Sequence, residues 1–322
     1  MPAGAGLFKT DDAPRPRFYY GPPGVIVPPV PDSEPYARFI TPDGSDIAVH
    51  DLGGAGEPLL FAHATGFHAL VFAELARELP FRSYGLDLRA HGCSRAAEGW
   101  GGEWAGFASD VLTVVEGLGL RQPYGFGHSC GGASLVLAEE AQPGTFRHLY
   151  CYEPIISPML DPMPPSYTHA LATGALKRRE RFSSKAEALA HFSGKPQLAS
   201  LDPVVLEAYV EHGFVEEPDG GVRLRCRPAD EARTFANSMS HEAFRNLARV
   251  ACPVDLACGG LTDSFGEVVV QAIHARFAEC GGRSRVTVFE DLDHFGPLER
   301  ADLVGEAVTQ AFATPAAPAA AG

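Results

Sequence analysis

The sequence predicts an α/β protein built on a mostly parallel, eight-stranded sheet with helices on both faces. Three observations carry this. Short apolar runs bounded by turn residues alternate with longer stretches of helical spacing, the pattern of a parallel sheet wrapped by helices. The composition is that of an ordinary soluble globular chain, 322 residues with 45% hydrophobic and 20% charged. The alternation breaks once at length, over 154–250, where strand signal is weak and helix-like stretches take over.

The elements follow in order. Residues 1–35 hold nine prolines, including Pro22-Pro23 and Pro28-Pro29, and read as an extended, irregular arm. Ala37–Thr41 and Asp46–Asp51 flank the turn signal Pro42-Asp43-Gly44-Ser45 and read as a hairpin. Strands are expected at 58–62, 83–87, 123–127, 148–153, 254–258 and 286–289. Helices are expected at 69–79, 104–118, 131–140, 268–278 and 298–312. The core is therefore 36–153 plus 251–312, with 313–322 as a frayed tail. The intervening 154–250 opens with Pro154, Pro158, Pro162, Pro164 and Pro165 and then shows helical spacing at 184–192 and 204–210. An insertion of this length between two strands reads as a helical cap over one end of the sheet. Its basic run Lys177-Arg178-Arg179-Glu180-Arg181 reads first as a solvated helix face, and second as a surface for an anionic substrate.

Charge and cysteines narrow the class. A net charge of −14 repels phosphate backbones and anionic lipid, so neither nucleic acid nor a membrane surface is expected as a partner. No run is long and apolar enough for a membrane helix, and residues 1–17 carry no apolar signal-like segment. The seven cysteines are scattered without zinc-ligand spacing, so no metal is expected and a reduced, cytoplasmic setting is the simplest reading. Self-association as a homodimer is left open.

The chemistry centres on Gly127-His128-Ser129-Cys130-Gly131, a G-x-S-x-G sequence. Chance gives about 0.2 such matches in a chain of this composition, so context decides. Tyr124-Gly125-Phe126 reads as a strand before it and Ala133–Ala138 as a helix after it. In that setting the serine sits on a strained turn, and the helix N-terminus aims free N–H groups at a reacting carbonyl. Ser129 is the candidate nucleophile. Its candidate base is His294, in the loop between the last strand and the last helix, at the sheet edge where α/β proteins bind ligands. The candidate orienting acid is Asp263, after the strand 254–258, with Glu153, at the end of the strand before the insertion, as the alternative. The candidate oxyanion donors are the backbone N–H groups of Cys130 and of Thr65, with Gly66 next. His63 reads as a structural loop histidine. Asp291 and Asp293 share the loop with His294 and read as turn formers.

These residues resemble the α/β-hydrolase superfamily over roughly 37–312. Besides the elbow, Asp87-Leu88-Arg89-Ala90-His91-Gly92-Cys93-Ser94 is similar to the family's D-x-R-G-x-G-x-S loop, with Ala90 in place of Gly. His294-Phe295-Gly296-Pro297 resembles its histidine loop, while His63-Ala64-Thr65-Gly66 departs from its plain His-Gly. The resemblance implies a cap-containing member of the serine branch, since haloalkane dehalogenases and related epoxide hydrolases carry Asp at the position of Ser129. It also implies structural roles for Asp87, Arg89 and His91. The resulting expectation is a cofactor-independent serine hydrolase of a small ester or lactone. A C–C bond hydrolase with the same residues is the alternative, and a non-catalytic small-ligand receptor is the alternative of another class.

Overall fold

The computed structural model describes residues 34–166 and 168–314. The expected Pro-rich arm and tail lie, but for their inner two residues each, outside the described residues. The chain runs β1 (Ala37–Ile40), β2 (Asp46–Gly53), β3 (Pro58–Ala62), α1 (Ala73–Arg77), β4 (Arg82–Leu86), α2 (Ala105–Gly117), β5 (Tyr124–His128), α3 (Cys130–Ala141) and β6 (His148–Tyr152). It continues with α4 (Ala170–Leu176), β7 (Arg181–Phe182), α5 (Lys185–Ser193), α6 (Pro203–Gly213), β8 (Phe214–Glu216), β9 (Val222–Leu224), α7 (Pro228–Ala236) and α8 (Ala243–Asn246). It closes with β10 (Val254–Gly259), α9 (Glu267–Glu279), β11 (Ser284–Phe289), α10 (Gly296–Glu299) and α11 (Ala301–Ala313).

The central sheet has eight strands in the order β1-β2-β4-β3-β5-β6-β10-β11. Only the β1/β2 and β2/β4 pairs are antiparallel. The parallel register sets Ala62 beside Gly127, His128 beside Tyr152, and Gly259 beside Phe289. The loops that follow β3, β5, β6, β10 and β11 therefore leave the sheet along one rim, where an open α/β sheet binds its ligand.

Two apolar clusters bury the faces. One packs Phe107, Val111 and Val114 of α2, Val136 of α3 and Ile273 of α9 on the sheet. The other joins Leu75 of α1 and Val304 and Val308 of α11 to Phe61, Phe126 and Tyr150 of the opposite face. That second cluster continues into Phe192, Val205 and Phe214 of the 154–250 segment, so the insertion shares the core's burial rather than hanging from it.

Within 154–250 the structure adds short strands to the helices expected there. The helices expected at 184–192 and 204–210 are there, capped by Ser184, which accepts from Glu187 N, and by Asp202, which accepts from Val204 N. A small antiparallel sheet, β7-β9-β8, lies among them. Two of the core helices are also broken. The 69–79 stretch opens as a 3₁₀ turn at Ala69–Phe72 before α1. The last helix is interrupted at Arg300, whose non-helical backbone (φ −136°, ψ 73°) separates α10 from α11.

Candidate active site

Close packing explains why the elbow is written in glycine. A Cβ on Gly127 would stand 2.5 Å from the Cα of Gly132, and one on Gly131 would stand 2.0 Å from the carbonyl oxygen of Ala62. The first turn of α3 thus lies directly on the end of β3, and no side chain fits between them. Ser129 has φ 56° and ψ −116°, outside the helix it precedes. Its N–H donates to Tyr152 O at 2.9 Å, and its carbonyl accepts from Ala133 N and Ile155 N, both at 3.2 Å. Among the described residues, Ser129 and Glu153 are two of four non-glycine positions with positive φ. Strain of this kind persists only where the surroundings over-determine it. Cys130 opens α3, so its N–H has no acceptor within the helix. Burial pushes its thiol up to about 12, and it also contacts the Thr65 side chain. That thiol is inert.

The loop after β11 is held against this elbow from three sides. The Tyr152 hydroxyl donates to Asp293 O at 2.8 Å, and a Cβ on Gly296 would collide with that hydroxyl at 2.2 Å. A Cβ on Gly259 would fall within 2.3 Å of Leu292 O. His128, the residue before Ser129, has its Nε2 2.8 Å from His294 O, and the two rings lie 4.9 Å apart. Since a carbonyl only accepts, Nε2 of His128 carries the proton. Burial holds the pKa of His128 well below the ordinary histidine value, so the ring stays neutral.

His294 Nδ1 stands 2.6 Å from Glu153 Oε2. Glu153 is fully buried and held by two further donors: Oε1 accepts from Gly259 N and Oε2 from Thr262 Oγ1, each at 3.0 Å. Its own N–H donates to Ala257 O at 2.7 Å. Asp263, the acid preferred from the sequence, is not brought to His294. The chain after β10 turns toward the histidine loop, with Gly260 N donating to Phe289 O and Leu261 N to Leu292 O. That turn delivers Thr262 to Glu153 and leaves Asp263 exposed. Glu153, the alternative named from the sequence, makes the contact with His294 instead. Asp293 Oδ1 accepts from Phe295 N at 2.6 Å, the turn role expected of it.

The loop 63–68 closes the other side. His63 Nδ1 meets Ala64 O at 2.8 Å and Nε2 accepts from Leu88 N at 3.0 Å, so both ring nitrogens are spent on backbone. Burial takes its pKa down to about 3. His63 is therefore a neutral loop strut. Thr65 lies against Cys130, and Gly66 follows with φ +84°. Asp87 ties the neighbouring loops, accepting from Ala69 N (2.8 Å), Cys93 N (2.7 Å) and His50 Nε2 (2.8 Å). Burial pushes the Asp87 carboxyl up, but His50 beside it, with His63 and His68 nearby, outweighs that and holds it well below the usual carboxylate range. Arg89 forks onto Asp110, with Nε and Nη2 within 2.9 Å of Oδ1. His50, Asp87 and Cys93 bring one donor atom each within 4.8 Å, the spacing of a metal site. Asp87 is already engaged by the three donors above, His50 among them, so the cluster is read as structure. The sequence reading missed the supports Tyr152, His128 and Thr262. Thr262 had a legible signal, since it stands one residue from the acid that was preferred.

The model of the alpha/beta hydrolase family matches residues 59–307. No curated protein sequence matches the chain. Among solved structures, E-2-(acetamidomethylene)succinate hydrolase superposes with a TM-score of 0.72 at 20% identity, covering 86% of this chain and 99% of its own. N-formylmaleamic acid deformylase from Pseudomonas putida S16 gives 0.65 at 15%, covering 85% and 99%. An esterase from Exiguobacterium antarcticum gives 0.65 at 18%, covering 86% and 99%. At these identities the likeness to each is one of fold. The family model spans most of the chain and all three elements of the site, and the chain belongs to the alpha/beta hydrolase family.

Proposed function

We propose that the protein is a serine hydrolase that cleaves a small ester or lactone through an acyl-enzyme on Ser129, with His294 as base and Glu153 as the orienting acid. The observation that supports this most is the 2.6 Å contact of His294 Nδ1 with Glu153, on an imidazole that lies against the ring of the residue preceding Ser129. An ionised carboxylate accepts, so Nδ1 carries the proton and Nε2 is left as the base.

In the proposed mechanism Nε2 of His294 takes the Ser129 proton as Oγ attacks the acyl carbon. Glu153 fixes the tautomer and stabilises the imidazolium. The N–H groups of Cys130 and Thr65 receive the developing oxyanion; losing one such donor typically costs about 3–4 kcal/mol. The imidazolium protonates the leaving alkoxide, and water activated by the same base releases the acid. The segment 154–250 serves as a cap that shapes the acyl or alcohol pocket. No metal or cofactor takes part in these steps.

Hydrolysis of p-nitrophenyl acetate and of γ- and δ-lactones by the wild type and by Ser129→Ala tests the proposal. Turnover by the wild type and none by a folded Ser129→Ala is expected. Turnover retained by the variant would remove Ser129 from the mechanism. N-acylated small acids and a vinylogous 1,5-diketone complete the panel, the latter deciding the C–C bond alternative, which uses the same residues.

A further inference from the structure

The loop that carries the proposed oxyanion donor is gripped by three separate elements of the insertion. The Phe67 ring lies 5.1 Å from the Tyr209 ring on α6, and His68 Nε2 is 3.3 Å from Tyr209 O. The Cys226 thiol, just before α7, bonds the main chain of Gly66. A Cβ on Gly66 would meet Glu231 Oε1 of α7 at 2.8 Å and Nη1 of Arg178, just after α4, at 3.2 Å.

The two charged groups at Gly66 are themselves joined. Arg178 Nη1 donates to Glu231 Oε2, and Nη2 donates to the Tyr209 hydroxyl at 2.6 Å. Glu231 is buried, and Arg178 is mostly so. The other charged members of the 177–181 run that form ion pairs do so toward the surface, Arg179 with Glu187, Glu180 with Arg227 and Arg181 with Glu217. Arg178 alone turns inward to the core loop. A guanidinium in a fork has fixed directions, so a buried Arg–Glu pair sets the position of whatever backbone lies against it.

We propose that Arg178, Glu231 and Tyr209 are positioning residues that latch Gly66, so that the insertion must be docked for the Thr65–Gly66 oxyanion loop to hold its working geometry. The latch rests on the serine-hydrolase reading above. It touches no reacting atom and acts through the loop backbone. The absence of a side chain at Gly66 is what lets the pair approach this closely.

The test compares an oxygen ester with its thiono analogue. N–H donors favour a developing oxyanion over a thiolate-like sulfur, so a well-formed hole gives a preference for the oxygen ester that a deformed hole loses. Wild type, Arg178→Met, Glu231→Gln and Tyr209→Phe are assayed on p-nitrophenyl acetate and p-nitrophenyl thionoacetate, with circular dichroism as the fold check and fluorophosphonate labelling of Ser129 as the check on the underlying reading. The latch predicts that Arg178→Met and Glu231→Gln lower kcat on the oxygen ester by about 10–100-fold, with KM within about threefold, and shrink the oxygen/thiono preference by a similar factor. Tyr209→Phe, which removes one hydroxyl, moves both readings the same way by less. Arg178→Lys, which keeps the charge and loses the fork, recovers only part of the loss. Folded, labelled variants with an unchanged oxygen/thiono preference overturn the latch. If Arg178→Met and Glu231→Gln do not fold, an unchanged preference in Tyr209→Phe overturns it alone. A folded wild type that neither labels nor turns over has lost the serine-hydrolase reading itself, and the latch falls with it.

Discussion

Replacing Glu153 by Gln keeps the volume of the side chain and removes its charge, which makes it the sharpest probe of the site. The consequence follows from the three donors around the carboxylate. Oε1 accepts from Gly259 N at 3.0 Å, a backbone group that cannot turn away. The amide oxygen of Gln must stay there, so its NH₂ takes the place of Oε2. That NH₂ then faces Thr262 Oγ1 and His294 Nδ1. The threonine hydroxyl can rotate to accept. The imidazole can accept only by moving its proton from Nδ1 to Nε2, and the base is then lost. In serine triads the corresponding acid-to-amide change lowers kcat by about 10⁴, which is about 5.5 kcal/mol of barrier. A loss of that size, on a variant with wild-type circular dichroism, is expected for p-nitrophenyl acetate hydrolysis. Asp263→Asn is the matched control. It alters an exposed side chain and is expected to change kcat by less than about twofold. A Glu153→Gln enzyme retaining a tenth of the activity, beside an Asp263→Asn enzyme crippled by about 10³, would refute the assignment and restore the acid preferred from the sequence.

Four further outcomes follow from packing and burial. Glu140 on α3 is buried with Oε1 lacking a partner among the described residues, and desolvation pushes its carboxyl up to about 9. The native state therefore holds a proton that the unfolded chain releases near 4.5, so stability is full below that pH and falls as pH rises toward 9. At about 1.4 kcal/mol per unit, Glu140→Gln should stabilise the protein by at least about 2 kcal/mol at pH 8 and by little at pH 4.5, read by urea denaturation at both pH values. Gly131→Ala drives a Cβ into Ala62 O and should cost about 1–3 kcal/mol and abolish activity. Gly44→Ala, with open space around its Cβ but φ +90°, should cost only about 1 kcal/mol of backbone strain and leave activity intact. Asp87→Asn weakens a buried node that joins His50, Ala69 and Cys93, and should destabilise by about 3 kcal/mol in the same assay.

The sheet was legible because its strands are short apolar runs set off by turn residues, and a parallel sheet buries both faces of such runs. The serine and the histidine were legible for a related reason. Each sits at a strand end, and the sequence around Ser129 shows the glycines that close packing at Ala62 and Gly132 demands. The carboxylate that meets His294 was not, because two carboxylates follow strand ends and the choice between them rests on tertiary hydrogen bonds. The turn at Gly260 and Leu261 toward Phe289 O and Leu292 O sends Asp263 outward, and no local propensity encodes that. The strands β7 to β9 of the insertion are two or three residues long, too short for alternation to register. Arg178 was read within a basic run whose charge suggested a solvated face. Its inward turn depends on Glu231, 53 positions away in the chain.

The central claim is that Ser129 is an activated nucleophile. Intact-mass spectrometry after incubation with a fluorophosphonate tests it most directly, with Ser129→Ala and Glu153→Gln alongside. One adduct per wild-type chain, none on Ser129→Ala and slowed labelling of Glu153→Gln are the predicted results. A folded wild type that takes no adduct, or an adduct that persists on Ser129→Ala, would contradict the account.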